Sequence, residues 1–481
     1  MGSTKGLGEQ VSVLESPETV LSTWTSDGKR RWMYPVLSEG FFARRRKIVG
    51  WILIILYFAL PVVPIGGHPA VLLDFIHREF ALFGIIFYPT DTLLLMMTLI
   101  LIILSVIIGT ALLGRVWCGW ACPQTVYLEF VYRPIERLIE GKEHVRKRRD
   151  DGPLTPDKAW RKVVKYGIYL IISLALAHTF VAYFVGWHHL VEWMLDKPRD
   201  HWGFFVLMAG TTGLVMFDFA NFREQMCTIA CPYARMQSVL LDPDSLIVSY
   251  DPTRGEPRAR RSKAKLQKEA DGVIPAQGDC IDCGACVRTC PTGIDIREGL
   301  QMECITCTQC IDACDDIMAH IGKPPGLISY TSENNLAGKR TRLMRPRTIL
   351  YLVVWLGLAV TLVATLAMRS NYDIDVGRSV GDPYMVLPDG RIANRLRFRV
   401  RNQTGLPSSF DIKPVSPANM EIRIVGVSPI TLAPGEMKRT EAWVILPRTA
   451  FTTDKRTASF HLSFSDNTLI ETSFTLLGPS P

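Results

Sequence analysis

Twelve cysteines lie in four short groups, and their spacing is the strongest chemical signal in the sequence. Two runs, CIDCGACVRTCP (280–291) and CITCTQCIDAC (304–314), share the spacing C-x2-C-x2-C-x3-C. This pattern is typical of two-cluster bacterial ferredoxins, in which the fourth cysteine of each run ligates the other cluster. CxxC pairs also suit zinc, but eight cysteines at this repeat favour iron. The spacing predicts two [4Fe–4S] clusters, with the ligand sets Cys280, Cys283, Cys286 with Cys314, and Cys304, Cys307, Cys310 with Cys290.

The other four cysteines form two CxxxCP motifs, CGWACP (118–123) and CTIACP (227–232). Each motif follows an apolar hairpin, so the chain contains a weak internal repeat. On a helix, cysteines at i and i+4 share one face, and two such faces could bring four thiols together beside the membrane. Thiolates suit Cu(I) or another iron–sulfur centre, whereas buried inert thiols are the alternative. The candidate catalytic residues are Cys118, Cys122, Cys227 and Cys231.

The elements that carry these motifs are apolar blocks. The 481 residues have a mean hydropathy of +0.16, and five runs approach the roughly 20 residues that cross a bilayer. The predicted spans are about 48–67, 92–113, 166–187, 202–219 and 348–368. Charged residues interrupt a further apolar segment, 70–89, which is predicted to be an interfacial helix on the outer side. No apolar run precedes residue 48, so no signal peptide is expected.

Basic residues predict the orientation of the spans. Lys and Arg number 8 in residues 1–47, 1 in 65–90, 11 in 114–162, 2 in 187–201 and 17 in 220–347. This alternation follows the positive-inside rule with the N-terminus in the cytoplasm. The loops therefore explain the formal net charge of +8, and no nucleic-acid partner is expected.

The fold class predicted is mixed. A cytoplasmic segment (1–47) precedes a membrane domain (48–220) and a cytoplasmic region (221–347) that holds the ferredoxin-type domain at about 270–325. A fifth transmembrane helix (348–368) leads to a periplasmic domain (371–481). The latter has short alternating runs separated by Pro, Gly and Asn, which predict an Ig-like β-sandwich. The runs lie at 395–402, 420–426, 440–446, 457–465 and 468–477.

Four stretches, GRVWCGWACPQTVYLEF, FREQMCTIACPYARMQS, YDPTRGEPR and CPTGIDIREGLQMECITC, resemble the CcoG/FixG family of membrane polyferredoxins. The resemblance implies a five-span protein of the bacterial inner membrane that reduces Cu(II) to Cu(I) during assembly of cbb-type haem–copper oxidases. Copper would be its substrate or a bound ion. The implied partners are oxidase subunits, a copper chaperone or transporter and a cytoplasmic electron donor, and a homodimer is compatible with the sequence.

Two other functions stay open at this point. One is quinol oxidation with electrons passing to a periplasmic reductase, as in the related NapH-type polyferredoxins. The other is a scaffold for oxidase assembly, in which the β-sandwich docks subunits and the clusters are structural. Two clusters are more than a docking module needs, so the sequence favours a redox function.

Overall fold

The computed structural model describes residues 23–24, 29–75, 79–87, 91–260, 277–404 and 406–479. Most of the predicted N-terminal segment and the beginning of the predicted ferredoxin domain lie outside these residues. The chain forms two compact units, one of residues 1–83 and 87–362 and the other of residues 84–86 and 363–481. The predicted metal ligands all lie in the first unit.

Helix α1 (Phe41–Ala59) covers only part of the first predicted span. It ends eight residues before position 67 because Pro61 and Pro64 cannot continue its hydrogen-bond ladder. It also begins earlier than predicted, with Arg44, Arg45, Arg46 and Lys47 in its first turns. Its apolar part is therefore shorter than a bilayer requires.

The prediction of an interfacial helix at 70–89 is wrong, because the described part of this segment is β-structure. The strands are β1 (Pro64–Ile65), β2 (His68–Pro69), β3 (Val71–Asp74), β4 (Glu79–Leu82) and β5 (Ile85–Phe87). Strands β3 and β4 pair antiparallel, with Val71 opposite Leu82. Asp74 is buried. In an interfacial helix this carboxylate would lie on the polar face, exposed to water.

The helices between residues 92 and 240 follow this β-structure in the chain. Helix α2 (Thr92–Leu113) leads to α3 (Val116–Trp120), α4 (Pro123–Tyr127), a π-helical turn (Leu128–Tyr132), α5 (Arg133–Glu140) and α6 (Glu143–Asp151). Next come α7 (Pro156–Val185), α8 (Trp187–Leu195) and α9 (Trp202–Phe217), and then π-helical turns at Asp218–Phe222 and Met226–Ala230 precede α10 (Pro232–Leu240).

The cluster-binding region is built from short elements around cysteine-rich loops. They are β6 (Ile247–Tyr250), α11 (Pro252–Gly255), α12 (Ala285–Thr289), a 3-10 turn (Ile296–Glu298), α13 (Gln309–His320), β7 (Ile328–Thr331) and α14 (Glu333–Leu336). Strands β6 and β7 pair antiparallel. Their inward side chains pack with the loops in a core that includes Val248, Ile296, Ile311 and Leu327.

Among the described residues, four helices are long and apolar enough to cross a membrane: α2, α7, Trp202–Phe222 and α15 (Pro346–Ala367). They correspond to four of the five predicted spans, and α7 begins ten residues before the predicted 166 and ends two residues before the predicted 187. With α1 as a fifth, shorter apolar helix, the membrane part of the predicted fold class is confirmed.

The second unit is the predicted β-sandwich. Its strands are β8 (Tyr372–Arg378), β9 (Met385–Val386), β10 (Ile392–Asn402), β11 (Ser408–Ser416), β12 (Glu421–Val425), β13 (Ile430–Leu432), β14 (Met437–Leu446), β15 (Lys455–Phe464) and β16 (Leu469–Leu477). One sheet has the strand order β12-β14-β10-β8, with β9 paired to β10, and the other has the order β13-β11-β15-β16. The two sheets enclose a core in which Phe398 contacts Phe460 edge to face, with ring centroids 5.4 Å apart.

Candidate metal centres

The eight ferredoxin-type cysteines line two small apolar cavities, and each cavity gathers one of the predicted sets. Cys280, Cys283, Cys286 and Cys314 line the first. The second is lined by Cys290, Cys304, Cys307 and Cys310, and Cys286 also reaches it. Four thiols around an enclosed apolar space fit a [4Fe–4S] cluster, whose irons each take one cysteine.

The two cysteine runs repeat one backbone pattern. In the first run Asp282 and Gly284 have φ of 50° and 65°, and in the second run Thr306 and Thr308 have φ of 53° and 61°. Left-handed residues at matching positions curl each loop between its thiols. Such a conformation is uncommon for threonine and aspartate, so packing in the folded protein must maintain it.

Burial raises the pKa of the cavity thiols. The pKa of Cys304 is raised to about 11 and that of Cys307 to about 12, mainly by loss of hydration. Burial likewise raises the pKa of Cys286 to about 11 and that of Cys314 to about 12. Metal binding at these sites must therefore displace thiol protons.

The two CxxxCP motifs share a local structure, and neither motif is one continuous helix. Cys118 lies in α3 and Cys227 in the π-helical turn Met226–Ala230, whereas Cys122 and Cys231 are extended residues that precede α4 and α10. The helix breaks before each second cysteine because proline follows it and disfavours a helical conformation there. The condition under which the two cysteines of each motif would share one helix face is therefore not met.

The four thiols nevertheless lie near one another. We call Cys118, Cys122, Cys227 and Cys231 the four-thiol group, because every pair of them lies within electrostatic range. Burial raises the pKa of Cys118, Cys122 and Cys227. All twelve cysteines are free thiols.

The distances between these thiols limit which metal group they can bind. In the part of the chain that the structure describes, no three His, Cys, Asp or Glu side chains converge as ligands of one metal ion. This holds for the two ferredoxin-type cavities as well, in which each thiol would bind a different iron. The four-thiol group is therefore not a preformed tetrahedral site for one ion.

The four-thiol group packs directly against the second ferredoxin-type run. Cys118, Ile305 and Cys307 form one buried cluster, and Cys227 packs on it. Gly119 lies so close to this loop that a Cβ atom there would be 2.5 Å from the Ile305 carbonyl oxygen and 2.9 Å from Cys307 Cα. The four-thiol group thus contacts the loop that carries the predicted ligands of the second ferredoxin-type site.

Two buried arginines donate hydrogen bonds that stabilise the packing of the four-thiol group against this loop. The Nε of Arg46 donates to the Gly119 carbonyl oxygen at 2.9 Å, and Arg115 donates to the Met302 carbonyl oxygen. Their exposed fractions are only 2% and 4%. Both cations lie beside thiols that carry negative charge once they bind metal, which stabilises the metal-bound form.

The structure also shows site residues that sequence reasoning missed. Gln237, fully buried, accepts a hydrogen bond from the Cys118 thiol at 3.0 Å and donates to the Tyr233 hydroxyl at 2.6 Å. Asp312, which lies between the last two cysteines of the second run, accepts from the backbone N–H groups of Phe42 and Ala43 and so caps α1. No local sequence signal marks Asp312, because its partners lie 270 and 269 residues earlier in the chain.

Fold and sites together define a membrane-bound iron–sulfur protein of the ferredoxin type with a C-terminal Ig-like domain. Residues 222–333 match the family described as a 4Fe-4S dicluster domain, and residues 95–145 match a 4Fe-4S binding domain. Residues 362–479 match the Ig-like fold at the C-terminus of FixG.

Relatives that match most of the chain agree with these domain assignments. The chain is 39% identical to protein RdxA of Cereibacter sphaeroides over 370 residues, which cover 74% of this chain and 75% of RdxA. It is 34% identical to nitrogen fixation protein FixG of Rhizobium meliloti, over 78% of this chain and 77% of FixG. Protein RdxB of C. sphaeroides is 33% identical over 90% and 92% of the two chains. The chain belongs to the FixG family, as the sequence motifs predicted.

Proposed function

We propose that this protein is an electron-transfer protein that reduces Cu(II) to Cu(I) at the four-thiol group. The observation that carries the proposal is the contact of Cys118 and Cys227 with the loop around Cys307. It brings an exchangeable group of soft ligands against a ligand loop of an iron–sulfur site. When bound, the clusters supply one-electron chemistry, which matches the one-electron change of copper.

The ligand assignments are part of the proposal. Cys280, Cys283, Cys286 and Cys314 would hold one cluster, and Cys290, Cys304, Cys307 and Cys310 the other. The grouping of these thiols around two cavities supports both sets. Cys286 reaches both cavities, so the two sites adjoin each other and electrons can pass between them over a short distance.

The ligand chemistry of the four-thiol group suits the product, Cu(I), better than the substrate, Cu(II). Thiolates are soft ligands and prefer Cu(I), whereas Cu(II) favours nitrogen and oxygen ligands. Because the four thiols do not converge on one point, copper would draw a subset of them together. Reduction then strengthens the hold on the ion until a partner with soft ligands accepts it.

The biological setting belongs to the same proposal. We place the N-terminus and the clusters in the cytoplasm of a bacterial inner membrane and the Ig-like domain in the periplasm, which the distribution of Lys and Arg supports. The copper would serve assembly of a cbb-type haem–copper oxidase through a chaperone or transporter. The Ig-like domain, a β-sandwich without cysteine, is then a docking surface for oxidase subunits.

The test uses the purified, cluster-loaded protein without oxygen. Its clusters are reduced with dithionite, excess reductant is removed, and one equivalent of Cu(II) is added in the presence of a Cu(I)-specific chelator. The double variant Cys122→Ser/Cys231→Ser should keep its cluster absorbance and lose Cu(I) formation. The matched control Thr228→Ser, which lies between the thiols of the second motif, should behave as the wild type. Full cupric reduction by the double variant would overturn the copper assignment.

A second candidate is that the four-thiol group holds a third iron–sulfur cluster. It is favoured by the match of residues 95–145 to a 4Fe-4S binding domain, although only Cys118 and Cys122 of the twelve cysteines lie there. Iron analysis separates the two functions. Two clusters carry about eight iron atoms per chain and three carry about twelve, and only in the second case should Cys122→Ser/Cys231→Ser lose about four.

A further inference from the structure

A large cavity beside the second ferredoxin-type site is not used by the function proposed above. Its volume is about 900 Å³, at the upper end of the range of small-molecule pockets. The extended segment Arg30–Val36 forms one wall, α5, α6 and the start of α7 form another, and Cys290 and Gly293 lie at its inner end. A molecule bound there would lie against a proposed cluster ligand.

The walls of the cavity are strongly charged, with an excess of positive charge. Eight Lys and Arg side chains and five Asp and Glu side chains line it, a net charge of +3. The acidic groups are largely engaged: Glu136 pairs with Arg223 and Arg146, and Glu140 with Lys162 and Lys165. Such walls exclude a purely apolar ligand.

Two of the basic residues are available to a ligand. Within the described residues, neither Arg31 nor Lys147 has an acidic partner, and both are exposed at the cavity. A third cation, Arg288, is exposed too; its guanidinium donates to the Cys283 carbonyl oxygen at 2.7 Å and, within the same described residues, has no acidic partner. Cations without a counter-charge at a cavity wall attract an anion such as phosphate.

Aromatic side chains accompany these cations. Trp32, 44% exposed, and Tyr34 alternate along the extended wall, so both face the cavity. The wall is held in place by Val36, whose N–H donates to the Arg288 carbonyl oxygen at 3.0 Å and whose carbonyl accepts from the Thr289 hydroxyl at 2.7 Å. Two hydrogen bonds therefore connect the aromatic wall to the residues that lead to Cys290.

We propose that this cavity binds a flavin nucleotide, which delivers electrons to the adjoining iron–sulfur site. The proposal rests on the proposed function, because it names the electron donor. Iron–sulfur clusters accept single electrons, so a pure hydride donor does not match them, whereas a reduced flavin releases its two electrons separately. A quinol matches the electron count but not the charged walls. A phosphorylated aromatic ring system matches the cations, the aromatic side chains and the cavity volume.

The redox step balances within these components. One reduced flavin anion breaks one N–H bond, loses two electrons and one proton, and becomes oxidised flavin. The two clusters that the eight ferredoxin-type cysteines would hold would take one electron each. The proton passes to water at the cavity mouth, where Asp151 is an exposed carboxylate.

The test measures binding rather than turnover. Full-length, cluster-loaded protein in detergent is titrated into flavin mononucleotide, and quenching of flavin fluorescence gives the Kd. We expect saturation at one flavin per chain. The variant Lys147→Glu should raise the Kd at least ~10-fold, since one charge-assisted hydrogen bond is lost. Arg148→Glu is the matched control, because Arg148 is exposed on the same helix but does not line the cavity.

Three results would overturn the proposal. They are no saturation below about 1 mM flavin, equal Kd values for Lys147→Glu and Arg148→Glu, and displacement of flavin by equimolar pyrophosphate or phosphatidylglycerol micelles. The last would show a site for phosphate or lipid headgroups alone. Riboflavin, which lacks the phosphate, should bind at least ~10-fold more weakly than flavin mononucleotide. Copper reduction by dithionite-reduced protein tests the proposed function separately, since it bypasses the flavin.

Discussion

Replacing Gly119 by alanine should disturb the contact between the four-thiol group and the second ferredoxin-type loop. The new Cβ would lie 2.5 Å from the Ile305 carbonyl oxygen, 2.7 Å from that of Thr306 and 2.9 Å from Cys307 Cα, where ordinary contacts are 3.4–4 Å. The loop must therefore move by 0.9 Å (3.4 − 2.5) at its closest point. All three atoms belong to the backbone, so no side-chain rotation relieves the overlap.

The cost follows from this geometry. Overpacking of a buried site typically costs about 1–3 kcal/mol, and three backbone contacts favour the upper end. The hydrogen bond from Arg46 to the Gly119 carbonyl oxygen, at 2.9 Å, is strained by the same movement. We expect destabilisation by about 3 kcal/mol and a fall in Tm of roughly 5 °C or more.

The assay combines unfolding with spectroscopy. Thermal unfolding of the purified protein in detergent is followed by loss of iron–sulfur absorbance, and EPR of the reduced protein reports on each cluster. In Gly119→Ala only the cluster proposed at Cys290, Cys304, Cys307 and Cys310 should change its spectrum, and electron transfer to Cu(II) should slow. Gly109→Ala is the control, because among the described residues a Cβ atom there meets nothing within 4 Å beyond the backbone of its own helix. Equal Tm values and equal spectra for the two variants would refute the reasoning.

Three further predictions follow from buried groups. Glu136→Gln should cost about 3 kcal/mol, the lower end for a broken buried pair, because Arg146 and Arg223 lose their closest carboxylate. They keep the more distant Glu140 and Glu224, at 3.7 and 3.6 Å. Glu143→Gln, in a part-exposed pair of 3.8 Å, should cost less than about 1 kcal/mol. Burial opposes ionisation of Glu136, but the two guanidiniums hold its pKa well below the ordinary range. Its contribution to stability is therefore complete above about pH 4.3 and is lost as the pH falls further, so Tm plotted against pH should show this acid loss in the wild type and not in Glu136→Gln. Asp312→Ala removes the cap of α1 and should cost about 1 kcal/mol, measured as a lower Tm with unchanged iron content. Phe398→Ala should destabilise the Ig-like unit by about 3–5 kcal/mol, seen as a separate early transition in calorimetry.

Each of these has an outcome that would contradict it. Equal Tm values for Glu136→Gln and Glu143→Gln would show that the buried charges find other partners. Loss of iron in Asp312→Ala would show that Asp312 acts on the cluster site rather than on α1. Normal unfolding of the Phe398→Ala protein would mean that the sandwich core closes around the lost ring.

The sequence determined those features that depend on local spacing. The C-x2-C-x2-C-x3-C runs specified both the iron–sulfur chemistry and the grouping of thiols, because short loops between ligands leave few ways to surround a cluster. Apolar runs marked α2, α7, α9 and α15, since a bilayer imposes a minimum length. Alternation of apolar and polar residues predicted the strands of the sandwich, because one face of each strand must be buried.

Other features depended on contacts between distant segments. The described residues of the 70–89 segment, 70–75 and 79–87, form β-structure rather than a helix, since their local composition suits both and pairing of Val71 with Leu82 decides between them. The approach of Gly119 to Ile305, separated by almost two hundred residues in the chain, has no local signature. The same is true of the charged cavity beside Cys290, whose walls come from four parts of the sequence. Spacing fixes what each motif can bind, whereas only tertiary packing decides which motifs touch and can exchange electrons.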